Sequence, residues 1–152
     1  MRRLPLVMAA ACLAGCAGGQ SGAGPRAPAV APFVLPSNAN FTVSVSESVN
    51  GPEEDSPSYL RIFIDGQPAG QTTVSPRSQE KKWGGALPPG NHLFRFEKWD
   101  VPPGAPAAPL DSQWQPPERF IRVEPGVRAA AALKFYEGSH KHSLEIAREP
   151  LP

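Results

Sequence analysis

The stretch "FTVSVSESV", residues 41–49, decides the fold class. Successive side chains of an extended chain point to opposite sides, so Phe41, Val43, Val45 and Val49 share one face and Thr42, Ser44, Ser46 and Ser48 the other. β-branched and aromatic residues alternating with small polar ones predict a half-buried strand. The same alternation recurs downstream, and the three-to-four spacing of an amphipathic helix does not. "NGPEEDSPS" (50–58) interrupts with Gly51, Pro52 and Pro57, and its acids Glu53, Glu54 and Asp55 read as a solvated loop. "YLRIFIDGQPAGQTTV" (59–74) places Leu60, Ile62 and Ile64 on one face and Phe63 on the other. Asp65-Gly66 then predicts a hairpin turn, with a further strand around Gly70 to Val74.

In "WGGALPPGNHLFRFEKW" (83–99) a short apolar segment at Ala86 and Leu87 precedes a Pro88-Pro89-Gly90 turn. A strand follows through Trp99, with Phe94 and Phe96 on one face. Residues 101–117 hold six prolines and no strand pattern, an unusually long loop for a small domain. Two strands then flank Glu124-Pro125-Gly126, with Val127, Ala129, Ala131, Leu133 and Phe135 aligned on the second. "HKHSLEIA" closes with His142, Leu144 and Ile146 on one side. About seven short strands with Pro/Gly turns predict an all-β protein: a single antiparallel β-sandwich over 41–149, of the immunoglobulin or transthyretin type.

The amino end has another character. After Met1-Arg2-Arg3 runs an uncharged apolar segment, Leu4 to Ala14. It is shorter than the ~20 residues that span a bilayer, which predicts a secretory signal rather than a mature anchor. Leu13-Ala14-Gly15-Cys16 resembles the bacterial lipobox. That resemblance implies cleavage before Cys16, loss of Cys12 with residues 1–15, and acylation of Cys16. Several acyl chains, each buried methylene contributing ~0.8 kcal/mol, hold a protein stably at a membrane. Ala17, where inner-membrane retention in enteric bacteria uses Asp, implies an outer-membrane lipoprotein facing the periplasm. Residues 16–40, rich in Pro, Gly and Ala, read as a disordered tether of about 25–30 Å mean span.

Without Arg2 and Arg3 the chain has 13 basic against 14 acidic side chains, so no basic excess points to nucleic acid. No Gly-x-Ser-x-Gly occurs, no cysteine remains for catalysis, and no pair of carboxylates is marked out. No catalytic residue, metal site or cofactor is therefore assigned. His140 and His142 would supply two zinc ligands from one strand face but lack a third nearby. Trp83, Trp99 and Trp114 fall at strand ends or in loops, where a tryptophan either pins a loop to the core or waits for a partner. Trp114, in the proline-stiffened loop, is the sharpest candidate.

Three segments, "YLRIFIDGQPAGQT" (59–72), "LPPGNHLFRFEKW" (87–99) and "IRVEPGVRAAAALKF" (121–135), are similar to the PEGA domain, a small β-sandwich of bacterial surface proteins. Asp65, Gly66, Gly70, Leu87 and Gly90 fall on that family's turn positions; its Pro-x-Gly-Ala is absent and the proline-rich loop is an insertion. The resemblance implies a non-catalytic module. The expected function is a structural or protein-binding module of the cell envelope, with the membrane as one partner through Cys16 and an envelope protein as the other. A glycan- or peptidoglycan-binding module and a lipoprotein of an envelope-spanning secretion complex are the alternatives.

Overall fold

The alternation at 41–47 is realised as β1 (Phe41–Glu47), whose Phe41, Val43 and Val45 are buried. The computed structural model describes residues 33 to 151; Cys12, Cys16 and most of the stretch expected to be a tether lie outside them. After β1 come β2 (Pro57–Ile64), β3 (Gln67–Gln71), β4 (Ser75–Pro76), β5 (Lys81–Gly85), β6 (Gly90–Asp100), β7 (Ala108–Pro109), β8 (Arg119–Val123), β9 (Val127–Tyr136) and β10 (Lys141–Pro150). They form an all-β sandwich. One sheet has the order β10-β9-β1-β5. The other runs β3-β2-β6-β7, with β4 also paired to β2 and β8 also paired to β6.

The core is where the two inner faces meet. Phe41, Val43, Val45, Ala129, Ala131, Leu133 and Phe135 come from the first sheet, and Leu60, Ile62, Ile64, Phe94, Phe96, Ile121 and Val123 from the second. Phe41 stacks on Phe94 across the interface, centroids 4.4 Å apart. Asp65 (φ 52) and Gly66 (φ 78) turn β2 into β3, the pair of positive φ values that a tight hairpin needs.

The structure departs from the sequence expectation in several places. Among the described residues the ladders are antiparallel except one: β1 pairs with β9 in parallel, Phe41↔Ala129 through Glu47↔Phe135. Period-2 patterning says which face is buried but not the direction of the neighbouring strand. The Glu124-Pro125-Gly126 turn does join two strands, yet β8 and β9 lie in different sheets. That crossing is what lets β9 arrive parallel to β1.

β5 occupies "KKWGG", which two lysines and two glycines disguise, and is held by pairing Val45↔Lys81 and Val43↔Trp83. The strand after the hairpin spans Gln67–Gln71 rather than 70–74. Val49 lies past the end of β1, and the inward position before it belongs to Glu47. Ahead of β1, Ala39 is fully buried, and the Asn40 side chain pairs with both the N–H and C=O of Leu87.

Candidate functional site

The inward rows of four strands end in polar residues at the same end of the sandwich. β1 runs Phe41, Val43, Val45, Glu47; β6 runs Phe94, Phe96, Lys98, Asp100; β2 begins Ser58, Leu60, Ile62; and β5 begins at Lys81. The Glu47, Lys81 and Lys98 side chains are 2 %, 0 % and 1 % exposed. One oxygen of Glu47 accepts from Lys81 Nζ at 3.1 Å and from Ser58 Oγ at 2.5 Å. The other lies 3.1 Å from Lys98 Nζ. Lys98 also reaches Asp100 at 2.6 Å, and Asp100 receives Arg77 at 2.9 Å.

Burial pushes the Lys81 amine downward while the charge and hydrogen bond of Glu47 pull it back up. The geometry favours the charged form, because Glu47, the Pro76 carbonyl (3.0 Å) and the Gln79 carbonyl (3.2 Å) match the three donors of an ammonium. The carboxylates of this cluster are taken up by its own cations, so its chemistry is that of an internal ionic lock between the two sheets. Sequence reasoning passed over these residues. Extending each apolar row by one more step of two would have found Glu47 and Lys98.

The tryptophans divide into two roles. Trp83, in the middle of β5, packs against the core and lies over Gly70 of β3 and Gly85, where an added Cβ would collide with the indole. It closes the flank where the β5 and β3 edges meet. Trp114, in a short 3-10 turn (Ser112–Trp114), rests on His140 with centroids 4.6 Å apart, closing the flank towards β10. Beside it the Gln115 amide accepts from Lys98 N–H (2.8 Å) and donates to the Lys98 and Leu110 carbonyls (3.1 and 2.8 Å). Gln115 thus stands in for a strand on β6 between the stretches paired to β8 and β7, and the proline-rich loop is packed onto the domain.

Trp99 lies on the outer face of the second sheet, stacked on Tyr59 with centroids 5.9 Å apart. The Arg61 guanidinium carbon lies 4.0 Å from its centroid, and Arg95 covers Phe63 at 3.8 Å. Glu97 contacts Arg95 and lies 3.5 Å from the Trp99 indole N–H. Phe120, 76 % exposed, stands beside Leu93 in the β6–β8 ladder and extends this aromatic and arginine-rich face. Each of the three tryptophans therefore already has part of its ring surface covered.

The histidines are separated. His92 bridges the Asp65 carboxylate (2.7 Å) and the Pro88 carbonyl (2.9 Å) at the end of the sandwich opposite the ionic lock. Both its ring nitrogens face acceptors, which only the imidazolium satisfies, and these partners, Asp65 first, raise its pKa; Asp65 is lowered by the same contact. His142 is lowered by burial and by nearby Arg119, and its Nδ1 is buried without a partner among the described residues. Among those residues no three of His, Cys, Asp and Glu converge as metal ligands.

No family model, curated protein or solved structure matches this chain.

Proposed function

We propose that the chain is a lipoprotein of the bacterial envelope. Acyl chains on Cys16 hold it at the outer membrane, and its sandwich is a non-catalytic structural or protein-binding module on the periplasmic side. The anchoring half rests on the lipobox at Leu13-Ala14-Gly15-Cys16. The module half draws support from the likeness of 59–72, 87–99 and 121–135 to PEGA domains and from the inward direction of the ionic chemistry.

One observation carries the binding role: the outer face of the second sheet, where Phe120 at 76 % exposure adjoins Leu93 and the Tyr59, Trp99, Arg61, Phe63 and Arg95 cluster. Aromatic residues and arginine are the types that dominate protein interfaces. Trp114, seated on His140, is reassigned from partner contact to loop packing in this reading.

Two experiments test it. Affinity capture from detergent-solubilised membranes should recover a partner with the native chain and with Trp114→Ala, and lose it with Phe120→Ser. Recovery of the same proteins with Phe120→Ser would remove this face from the proposal. Separately, Cys16→Ser should move the protein to the soluble fraction and abolish lipid labelling; a membrane-bound variant would refute the anchor.

A further inference from the structure

Among the described residues, the outer face of the second sheet carries one cation that its neighbours leave unneutralised. In the β2–β6 register Arg61 stands opposite Glu97, the arrangement in which opposite charges ordinarily pair. Glu97 instead contacts Arg95 and Trp99, and Arg95 also lies 3.6 Å from Glu118. Among the described residues Arg61 has no hydrogen-bond or ion-pair acceptor. Its guanidinium carbon lies over aromatic rings, 4.0 Å from the Trp99 centroid and 5.9 Å from that of Tyr59. Cation–π attraction of this kind satisfies none of the five N–H donors of a guanidinium.

Arg61 lines a surface groove of about 370 Å³ with Ile62, Phe63, Pro68, Gly70 and Gln71. The β2–β3 register breaks between Ile62 and Phe63 beside this groove, and such bulges re-aim side chains. Gln71, exposed and paired across from Arg61, brings a second donor to the same row. No other cation lines the groove among the described residues. The planar fork can take two oxygens of a carboxylate or of a phosphate, but one cation balances only the single charge of a carboxylate and leaves half the charge of a phosphate dianion unmet.

We propose that this groove binds a carboxylate side chain presented by an extended, otherwise apolar peptide segment of a protein partner. The Arg61 fork takes the two carboxylate oxygens, the Gln71 amide adds a hydrogen bond, and Phe63 and Pro68 contact the apolar flanks. Trp99 is a positioning residue that holds the guanidinium in place. The proposal rests on the reading of the sandwich as a protein-binding module.

The test is an NMR titration of the full-length protein in detergent with acetyl-Ala-Pro-Glu-Pro-Ala-amide, its glutamine counterpart, and inorganic phosphate. The glutamate peptide should shift the Arg61, Gln71 and Trp99 indole signals. The glutamine peptide should bind about tenfold more weakly, the loss expected for removing one charge-assisted contact. Arg61→Gln should weaken the glutamate peptide by a similar factor, Arg61→Lys should recover only part of it, and Arg148→Gln, on exposed β10, should leave it unchanged. Equal binding of the two peptides, no shift with either, or a phosphate response as strong as the glutamate response would overturn the site. Partner capture that survives Arg61→Gln but is lost with Phe120→Ser would overturn the groove while leaving the module reading in place.

Discussion

At the residue scale, the decisive side chain is Glu47. It faces two buried lysines at 3.1 Å each and a serine hydroxyl at 2.5 Å. Ion pairs buried in this way add little net stability, because desolvating the charges offsets much of their attraction. Removing one partner, however, leaves an uncompensated charge in a low-dielectric interior and costs about 3–5 kcal/mol. Glu47→Ala is expected to lower stability by that amount in urea unfolding, whereas the triple change Glu47→Leu, Lys81→Met, Lys98→Met should recover most of it. A loss below ~1 kcal/mol in the single variant would show that water reaches the lysines. The lock also explains how a strand row can end in a charge: the row continues inward, but its last member meets partners from three other strands.

At the scale of elements, the proline-rich segment between β6 and β8 is the informative case. Its composition predicts a loop, and the structure agrees except for the two-residue β7 and one 3-10 turn. The Gln115 side chain turns it into part of the sheet edge, meeting both backbone groups of Lys98. Gln115→Ala should leave the Lys98 N–H without its partner while the Lys98 C=O keeps the Leu110 N–H at 2.9 Å, cost about 1–3 kcal/mol, and speed proteolysis within 101–117. An unchanged digestion pattern would mean that β7 and Trp114 on His140 hold the loop without Gln115. Glutamine carries no pattern signal for such a role, because the N–H and C=O of Lys98 that it meets belong to a strand 17 residues away.

At the scale of the molecule, two histidines set opposite pH dependences. The folded pKa of His92 is raised, so its stabilisation is complete below the ordinary 6.5 and is lost as pH rises through the folded value. The folded pKa of His142 is lowered, so the neutral ring is favoured above 6.5 and stability falls as pH drops towards the folded value, where an imidazolium would be buried near Arg119. Denaturation midpoints measured from about pH 5 to 8.5 should trace a dome centred near neutrality. His142→Phe should flatten the acid limb and His92→Asn the alkaline limb; a single slope across the range would refute the opposing assignment. The parallel pairing of 41–47 with 129–135 also joins segments distant in sequence, a topology that slows folding.

The sequence by itself determined the inner faces of β1, β2, β6, β9 and β10, since burial of alternate side chains is written directly into a period of two. It also determined the Asp65-Gly66 hairpin, because few residues accept positive φ. Partner direction, the identity of β5, the ionic lock, the flank-closing roles of Trp83 and Trp114, and the isolation of Arg61 on the outer face were decided only by tertiary structure. Each of these depends on which strands lie side by side, and a local pattern does not encode pairing between distant segments. Lys81 and Lys98 are the clearest instance: a lysine is almost never fully buried unless paired, and only the carboxylate of Glu47 brought to them by the fold makes their burial tolerable.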